Sequence, residues 1–184
     1  DVQTALGRTG AHFWGFEYQN VVPDILVLGK PLGTGHPLAA VVTTPDIAAA
    51  FARGPEFFST FGGNSVSCAV GLAVLDVLEE EGLQAHARQV GATLLAGLRE
   101  LAQRHPLIGD VRGAGLFIGL DLVNDRTTRA PATRQASYVK DRLRACRVLL
   151  GTEGPHDNVL KIRPPMTFDA AAVSRLLETL DAVL

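Results

Sequence analysis

Lysine, cysteine and long apolar runs are all scarce in this sequence, and each scarcity excludes a class of protein. Only three of the 17 basic residues are lysines, and the basic residues are scattered along the chain. Scattered charge excludes a nucleic-acid-binding tract and a polybasic membrane anchor. No apolar run approaches the length of a membrane-spanning helix, and residues 1–4 lack the basic start of a signal peptide. We therefore expect small-molecule or protein partners, and neither nucleic acid nor a membrane.

The two cysteines, Cys68 and Cys146, lie far apart and show no C-x-x-C spacing. This pattern is typical of reduced thiols in a cytoplasmic protein and not of a disulfide scaffold or a zinc site. The sequence therefore predicts a cytoplasmic protein without a metal.

The overall composition indicates a globular chain. Its 184 residues are 47% hydrophobic and 20% charged, with a formal net charge of −2, which is enough apolar material to bury a core. The chain has no initiating methionine and opens on what resembles the end of a strand. We expect it to be a fragment of a longer protein.

Lys30 stands out because it directly follows the apolar run of residues 25–29, and a second apolar run covers residues 38–43. Both runs predict strands that are buried on both faces. A lysine at the end of a buried strand loses hydration, which favours its neutral amine. Schiff-base chemistry needs a neutral amine. The alternative is a lysine whose stem follows the strand while its charge reaches water.

The helical patterns also differ from one another. Residues 65–78 are apolar on every face, which predicts a helix buried by a second domain or subunit. Residues 83–101 show the spacing of an amphipathic helix, and Asp169 is expected to cap a last amphipathic helix. The remaining predictions are a glycine-rich turn at 109–115, strands at 116–122, 148–150 and 159–162, and a helix that ends at 144.

The order of elements changes character near Gly82. A buried α/β segment precedes it, and a self-contained α+β unit follows it. The sequence predicts an α/β fold class with a domain boundary between residues 1–82 and residues 83–184.

Four ordered motifs resemble those of the class III aminotransferases. Residues 1–10 (DVQTALGRTG) resemble the family's D-E-V-Q-T-G-x-G-R-T-G signature, and residues 23–35 resemble its cofactor-lysine segment. Residues 59–64 (STFGGN) resemble its T-F-x-G-N loop, and residues 162–166 (IRPPM) its C-terminal double-proline segment. The resemblance covers the whole chain. It implies the end of the large domain of a fold-type-I pyridoxal-phosphate enzyme, followed by a small C-terminal α+β domain.

The resemblance implies roles for individual residues. Lys30 would form the internal aldimine with pyridoxal 5'-phosphate and move the proton between the cofactor and the α-carbon of an amine substrate. Val2 would pack on the pyridine ring, and Gln3 would hydrogen-bond its phenolic oxygen. Thr60 would contact the cofactor phosphate of the partner subunit, which implies a homodimer with sites at the interface.

Three loop residues have structural interpretations as well. Thr60 and Asn64 suit ordinary loop and helix-cap positions, and for Asn64 the cap is as good an interpretation as a functional one. His36 is better interpreted as a loop histidine than as a catalytic residue.

Asp1 marks a departure from the family pattern. The family's pyridinium-binding aspartate precedes Glu-Val-Gln, but aligning Val2 and Gln3 places Asp1 at the glutamate position. Either that aspartate lies upstream of Asp1, or Asp1 takes its place in a shortened motif. The residues that form the family's phosphate cup and stack on the ring belong to an N-terminal portion that this sequence lacks.

The C-terminal motif bears on the substrate. Many family members have an arginine two residues before the position of Arg163, where it pairs with the substrate carboxylate; here the residue is Lys161. Residues 58–75 and 160–166 most resemble the branch of phospho-lyases for ethanolamine phosphate and phosphohydroxylysine. Lys161 and Arg163 would then suit a phosphate-bearing substrate, the alternative being surface charges on a strand.

Three functions are therefore considered. The first is aminotransfer from an amine or amino acid through Lys30. The second is elimination of phosphate from a phosphorylated amine at the same lysine. The third is a non-catalytic, truncated domain that serves dimerisation.

Overall fold

The computed structural model describes residues 1–184, which form two compact units. Unit 1 consists of Asp1–Gly7 and His12–Gln84, and unit 2 consists of Arg8–Ala11 and Ala85–Leu184. The short segment Arg8–Ala11 thus belongs to unit 2, although the residues on either side of it belong to unit 1. The domain boundary at residue 82 stays a prediction.

Unit 1 combines a small sheet with two α-helices. Its elements are a 3-10 helix at Gly15–Gln19, β1 at Ile25–Leu28, a 3-10 turn at Lys30–Gly33, β2 at Ala40–Thr43, α1 at Pro45–Ala52 and α2 at Ser65–Glu80. Thr44 caps α1, and its hydroxyl accepts a hydrogen bond from the Ile47 amide at 3.5 Å. Pro45 occupies the first turn, where its missing N–H removes no helical hydrogen bond.

The burial predicted for the two strands of unit 1 is wrong for this chain. β1 and β2 pair antiparallel, from Ile25 opposite Thr43 to Leu28 opposite Ala40. Leu28 is buried, but Ile25 and Val27 on β1 are 53% and 50% exposed, and Val41 on β2 is 65% exposed. The apolar character of the strands was identified correctly. The two strands are not buried on both faces because no element of this chain covers both faces of so small a sheet.

Unit 2 is an antiparallel sheet covered by helices. Its elements are α3 at Leu83–Arg104, β3 at Ile108–Ala114, β4 at Phe117–Asp125, β5 at Ala130–Pro131, α4 at Thr133–Ala145, β6 at Gly151–Glu153, β7 at Val159–Ile162 and α5 at Ala170–Val183. The strand order is β3-β4-β7-β6, and β5 pairs with β4. Every pairing is antiparallel.

The core of unit 2 lies between one face of the sheet and the apolar faces of α3, α4 and α5. Ile118, Leu120 and Leu122 alternate along β4 and are at most 2% exposed. They meet fully buried leucines from each helix and from β7: Leu94, Leu98, Leu143, Leu160 and Leu180. Burying one such side chain contributes about 1.5–3 kcal/mol. The helices predicted from residues 83–101 and after Asp169 are confirmed, and Asp169 accepts from the Ala172 amide at 2.8 Å.

Two predicted segments of unit 2 are wrong. Residues 109–115 were expected to form a turn, but they belong mostly to strand β3. Glycine fits this strand because a Cβ at Gly109 would lie only 2.6 Å from the Val123 side chain. Residues 148–150 were expected to form a strand, which instead begins at Gly151.

Gly91 on α3 and Gly115 in the β3–β4 turn bring two stretches of main chain into direct contact. A Cβ on Gly91 would lie 2.2 Å from the carbonyl oxygen of Gly115 and 2.5 Å from its Cα. Gly115 itself has a φ of +52°, in the left-handed region that glycine tolerates. Neither main chain can move away cheaply, so glycine is required at position 91.

We predict that Gly91→Ala lowers the free energy of unfolding by about 1–3 kcal/mol, because the new methyl overpacks a rigid contact. Helix propensity alone predicts the opposite, a gain of about 1 kcal/mol. Gly97→Ala on the same helix is the matched control, since its Cβ would meet only the flexible end of Leu177. Urea unfolding of both variants measures the difference. A Gly91→Ala variant as stable as the parent would contradict the contact.

Candidate functional site

The end of β1 holds Lys30 in an unusual backbone conformation. Gly29 is extended, with φ of −163°, and Lys30 then turns into the left-handed region with φ of 37°. A side chain in this region costs about 1–3 kcal/mol, and such strain clusters at functional sites. Pro31 follows in the first turn of the 3-10 element, and the Leu32 amide donates to the Gly29 carbonyl at 3.2 Å. The Lys30 side chain is exposed.

Residues 1 and 2 run beside the end of β1. The main-chain nitrogen of Asp1 donates to the Val27 carbonyl at 2.7 Å. A Cβ built on Gly29 would lie 3.7 Å from Cγ1 of Val2, an ordinary van der Waals contact. Val2 therefore lies against Gly29, the residue that precedes Lys30.

The carboxylate of Asp1 is engaged within its own loop. Thr4 Oγ1 donates to Asp1 Oδ1 at 2.6 Å, and the Gly15 amide donates to Oδ2 at 2.6 Å. Oδ2 thus holds the start of the 3-10 helix that begins at Gly15, and Oδ1 holds the side chain of Thr4. This arrangement gives Asp1 a local structural task. Gln3 next to it is half-buried and takes part in a contact of its own.

The loop that contains Thr60 is open to solvent. Thr60 is exposed, and the three phenylalanines around it, Phe57, Phe58 and Phe61, are 71%, 81% and 82% exposed. Asn64 ends the loop by capping α2, since its side-chain oxygen accepts from the Val66 amide at 3.0 Å and the Ser67 amide at 3.1 Å. The helix-cap interpretation of Asn64 is confirmed.

His36 ties the loop after Lys30 to helix α2. Its Nε2 lies 2.8 Å from Ser67 Oγ, and both groups are partly buried. Leu38 packs on the same helix, where a Cβ on Gly71 would lie 2.7 Å from Leu38 Cδ2. These contacts give His36 a structural role in positioning the loop that Lys30 begins.

Lys161 and Arg163 belong to unit 2, at and just beyond the end of β7. Lys161 forms an ion pair with Glu153 on the neighbouring strand β6, and 24% of its side chain is exposed. Arg163 is exposed. Both residues line a cleft of about 440 Å³, to which Arg147 and Arg175 also contribute. No acidic side chain lines this cleft, so it favours an anionic group.

Arg8 is a residue that the sequence analysis included only as part of a motif. Its Nη1 donates to the Pro164 carbonyl at 2.7 Å and to the Leu116 carbonyl at 3.3 Å. Burial of the guanidinium, together with the nearby charge of Arg163, lowers the pKa of Arg8 from its ordinary value. No local sequence pattern could have identified these contacts, because the partners are 108 and 156 residues away.

No group of three or more histidine, cysteine, aspartate or glutamate side chains is placed to hold a metal ion. None of the helices combines the length and the apolar character needed to cross a membrane.

Comparisons with known proteins relate this geometry to a family. A family model described as "Aminotransferase class-III" matches residues 1–184. A Drosophila melanogaster protein named alanine–glyoxylate aminotransferase 2-like is 50% identical over 190 residues, which cover 100% of this chain and 38% of that protein.

Solved structures share the fold as well. A phospholyase from Arthrobacter, in complex with phosphoethanolamine, superposes with a TM-score of 0.94 at 43% identity, covering 98% of this chain and 43% of that one. An amine transaminase from an uncultivated Pseudomonas species, in the PLP-bound form, has a TM-score of 0.86 at 37% identity, covering 98% of this chain and 42% of that one. The predicted fold, part of a fold-type-I enzyme, is confirmed.

The chain spans about two fifths of the length of the proteins it matches, 38% of the relative and 43% and 42% of the two solved structures. Within that span, the match to the family is continuous from residue 1 to residue 184. Enzymes of this family depend on pyridoxal phosphate, as the PLP-bound neighbour illustrates. The chain belongs to the class III aminotransferase family.

Proposed function

We propose that Lys30 is the residue through which the full protein binds pyridoxal 5'-phosphate and acts on an amine or amino acid. The observation that carries the proposal is the position of Lys30, in a left-handed turn directly after β1, in a chain that the family model matches from end to end. A non-glycine residue persists in this conformation only where the surrounding structure enforces it, and such positions cluster at active sites. The Lys30 amine would bind the cofactor and then accept or return a proton at Nζ.

The neighbours of Lys30 fit this cofactor in part. Val2 lies beside Gly29 and offers an apolar surface for one face of a planar ring. The amide of half-buried Gln3 suits a hydrogen bond to the phenolic oxygen of the cofactor. When bound, pyridoxal phosphate supplies an electron-withdrawing ring that stabilises negative charge on the substrate carbon.

Asp1 fits the cofactor less well. Both of its carboxylate oxygens already accept hydrogen bonds at 2.6 Å from Thr4 and Gly15. Of the two alternatives left by the sequence, we therefore favour a pyridinium-binding aspartate upstream of Asp1. Asp1 then takes the place of the family's glutamate and holds the loop in shape.

The substrate is proposed to carry an anionic group. Arg163 and Lys161 line a cleft whose other charged residues, Arg147 and Arg175, are also basic. Arg163 is exposed and lines this cleft, and we take it as the candidate to bind the anion. A carboxylate is the group expected in an aminotransferase, and a phosphate is the group expected in a phospho-lyase.

Product analysis of the full protein separates the proposed functions. Incubated with ethanolamine phosphate, a phospho-lyase releases inorganic phosphate without any oxo acid. An aminotransferase turns over ethanolamine phosphate, or alanine with glyoxylate, only when the oxo acid is present, and it releases no phosphate. We predict that Lys30→Ala abolishes either activity by more than about a hundredfold, because the residue that moves the proton is lost.

Lys140→Ala on helix α4 is the control and is expected to keep full activity. Equal activity of the Lys30→Ala variant and the parent would overturn the assignment of Lys30. A folded parent without turnover in either assay would favour the non-catalytic dimerisation domain.

We further propose that the enzyme is a cytoplasmic homodimer that covers an apolar surface of unit 1. This surface comprises Phe57, Phe58, Phe61, Val66 and Leu72, of which each is at least 63% exposed in the single chain. Apolar patches of this kind mark protein interfaces. Thr60 lies within the surface and would reach the cofactor phosphate of the partner from there. The two free thiols, Cys68 and Cys146, fit a reducing compartment.

Sedimentation of the protein from the cytoplasmic fraction of cells is expected to give the mass of a dimer. Phe58→Asp should shift it to the monomer, because a carboxylate would be buried without a partner. Tyr138→Asp, at a 61% exposed aromatic on α4, is the matched control and should remain dimeric. A parent that sediments as a monomer, or a Phe58→Asp variant that stays dimeric, would rule out this surface as the interface.

A further inference from the structure

The main chain of Arg8–Ala11 is held tightly inside unit 2. A Cβ on Gly10, where φ is +78°, would lie 2.5 Å from the Cα of Arg88 on α3. A Cβ on Gly115 would lie 2.5 Å from the Arg8 carbonyl oxygen. The Leu116 amide donates to that same oxygen at 2.9 Å. The main chain of Arg8–Ala11 is therefore fixed by the β3–β4 turn at Arg8 and by α3 at Gly10.

From this fixed point the Arg8 side chain reaches the segment that follows β7. Nη1 donates to the Pro164 carbonyl at 2.7 Å and to the Leu116 carbonyl at 3.3 Å. Both acceptors are neutral, and the charged group near Arg8 is another cation, Arg163, which together with burial lowers the pKa of Arg8. Burial and the charge of Arg163 therefore both disfavour a charged arginine at this position, and the two hydrogen bonds offset that cost.

Pro164 transmits its position directly to Arg163. A proline ring fixes its own φ near −65°, and it also restricts the backbone of the residue before it. A fixed Pro164 carbonyl therefore leaves Arg163 little rotational freedom on that side. On the other side, Ile162 is paired with Ile118 in the sheet. The Arg163 backbone is held at both ends, by β4 and by Arg8.

We propose that Arg8 is a positioning residue, which orients Arg163 for the anionic group of the substrate by holding the carbonyl of Pro164. The inference rests on the proposed role of Arg163 in binding that group. Arg8 itself touches no reacting atom. Its effect on the reaction passes through the main chain of residues 163 and 164.

The test uses Arg8→Lys in the full protein, because lysine keeps the charge but loses the planar reach of the guanidinium. With ethanolamine phosphate as the probe, we expect KM to rise about tenfold while kcat changes little. The rise in KM corresponds to the loss of one hydrogen bond from a charged donor. In an Arg163→Ala background the same substitution should leave KM unchanged. Arg134→Lys, at an exposed position on α4, is the control and should behave as the parent.

Hydrogen exchange gives a readout that does not depend on activity. In Arg8→Lys, the peptide of residues 159–168 should exchange faster, while the α4 peptide of residues 133–145 keeps its protection. If Arg8→Lys does not fold, Arg8→Gln replaces it. Glutamine keeps a planar amide donor but loses the charge and the reach of the guanidinium, so KM should rise in the same way.

The outcomes separate the two claims. An Arg163→Ala variant with unchanged KM would show that Arg163 does not bind the anionic group, which is a failure of the proposed function. If Arg163→Ala raises KM but Arg8→Lys does not, or if Arg8→Lys raises KM equally with and without Arg163, the positioning role of Arg8 is wrong. Unchanged exchange in residues 159–168 of Arg8→Lys would overturn it as well.

Discussion

Close packing of main chain on main chain at Gly91, Gly115 and Arg8 is the constraint on which unit 2 depends. Glycine at positions 91 and 115 lets α3, the β3–β4 turn and the Arg8–Ala11 segment approach within 2.5 Å of where a Cβ would be. Main-chain contacts of this kind cannot be relieved by a change of rotamer. They place helix α3 over the sheet, and its leucines then meet those of β4 and β7.

The same constraint connects a structural motif to a chemical one. Main-chain contacts fix the carbonyl of Arg8, and the guanidinium of the same residue donates to the carbonyl of Pro164. Pro164 follows the residue that we propose to bind the anionic group of the substrate. A side chain near the start of the chain thus holds a main-chain carbonyl 156 positions later in the sequence.

Unit 1 is organised around a different constraint, the strained turn at the end of β1. Val2 packs beside Gly29, and His36 and Leu38 tie the following loop to α2. These contacts keep Lys30 in a left-handed conformation that an isolated lysine would avoid. Many apolar side chains on β1, β2 and α2 are exposed in this chain. Burial within unit 1 therefore does not account for the apolar residues in these elements. The relative described above is more than twice as long as this chain.

The sequence was sufficient to predict features that depend on local chemistry. Residue type alone identified the caps at Asn64 and Asp169, the strand Val159–Ile162 and the lysine that follows an apolar run. Prediction from the sequence failed for features that depend on tertiary contacts. Gly109 and Gly113 suggested a turn, but β4 pairs with that segment through main-chain hydrogen bonds that no side-chain pattern reveals. Arg8 could not be identified because its partners are remote in sequence, and the strands of unit 1 could not be known to lie exposed.

The most direct test of the account is to find which lysine reacts with pyridoxal phosphate. This chain contributes three candidates, Lys30, Lys140 and Lys161, beside any lysines in the rest of the full protein. The full protein would be incubated with the cofactor, reduced with borohydride and mapped by peptide mass spectrometry. The account predicts a pyridoxyl group on Lys30. A folded protein labelled only on lysines other than Lys30, or not labelled at all, would contradict it.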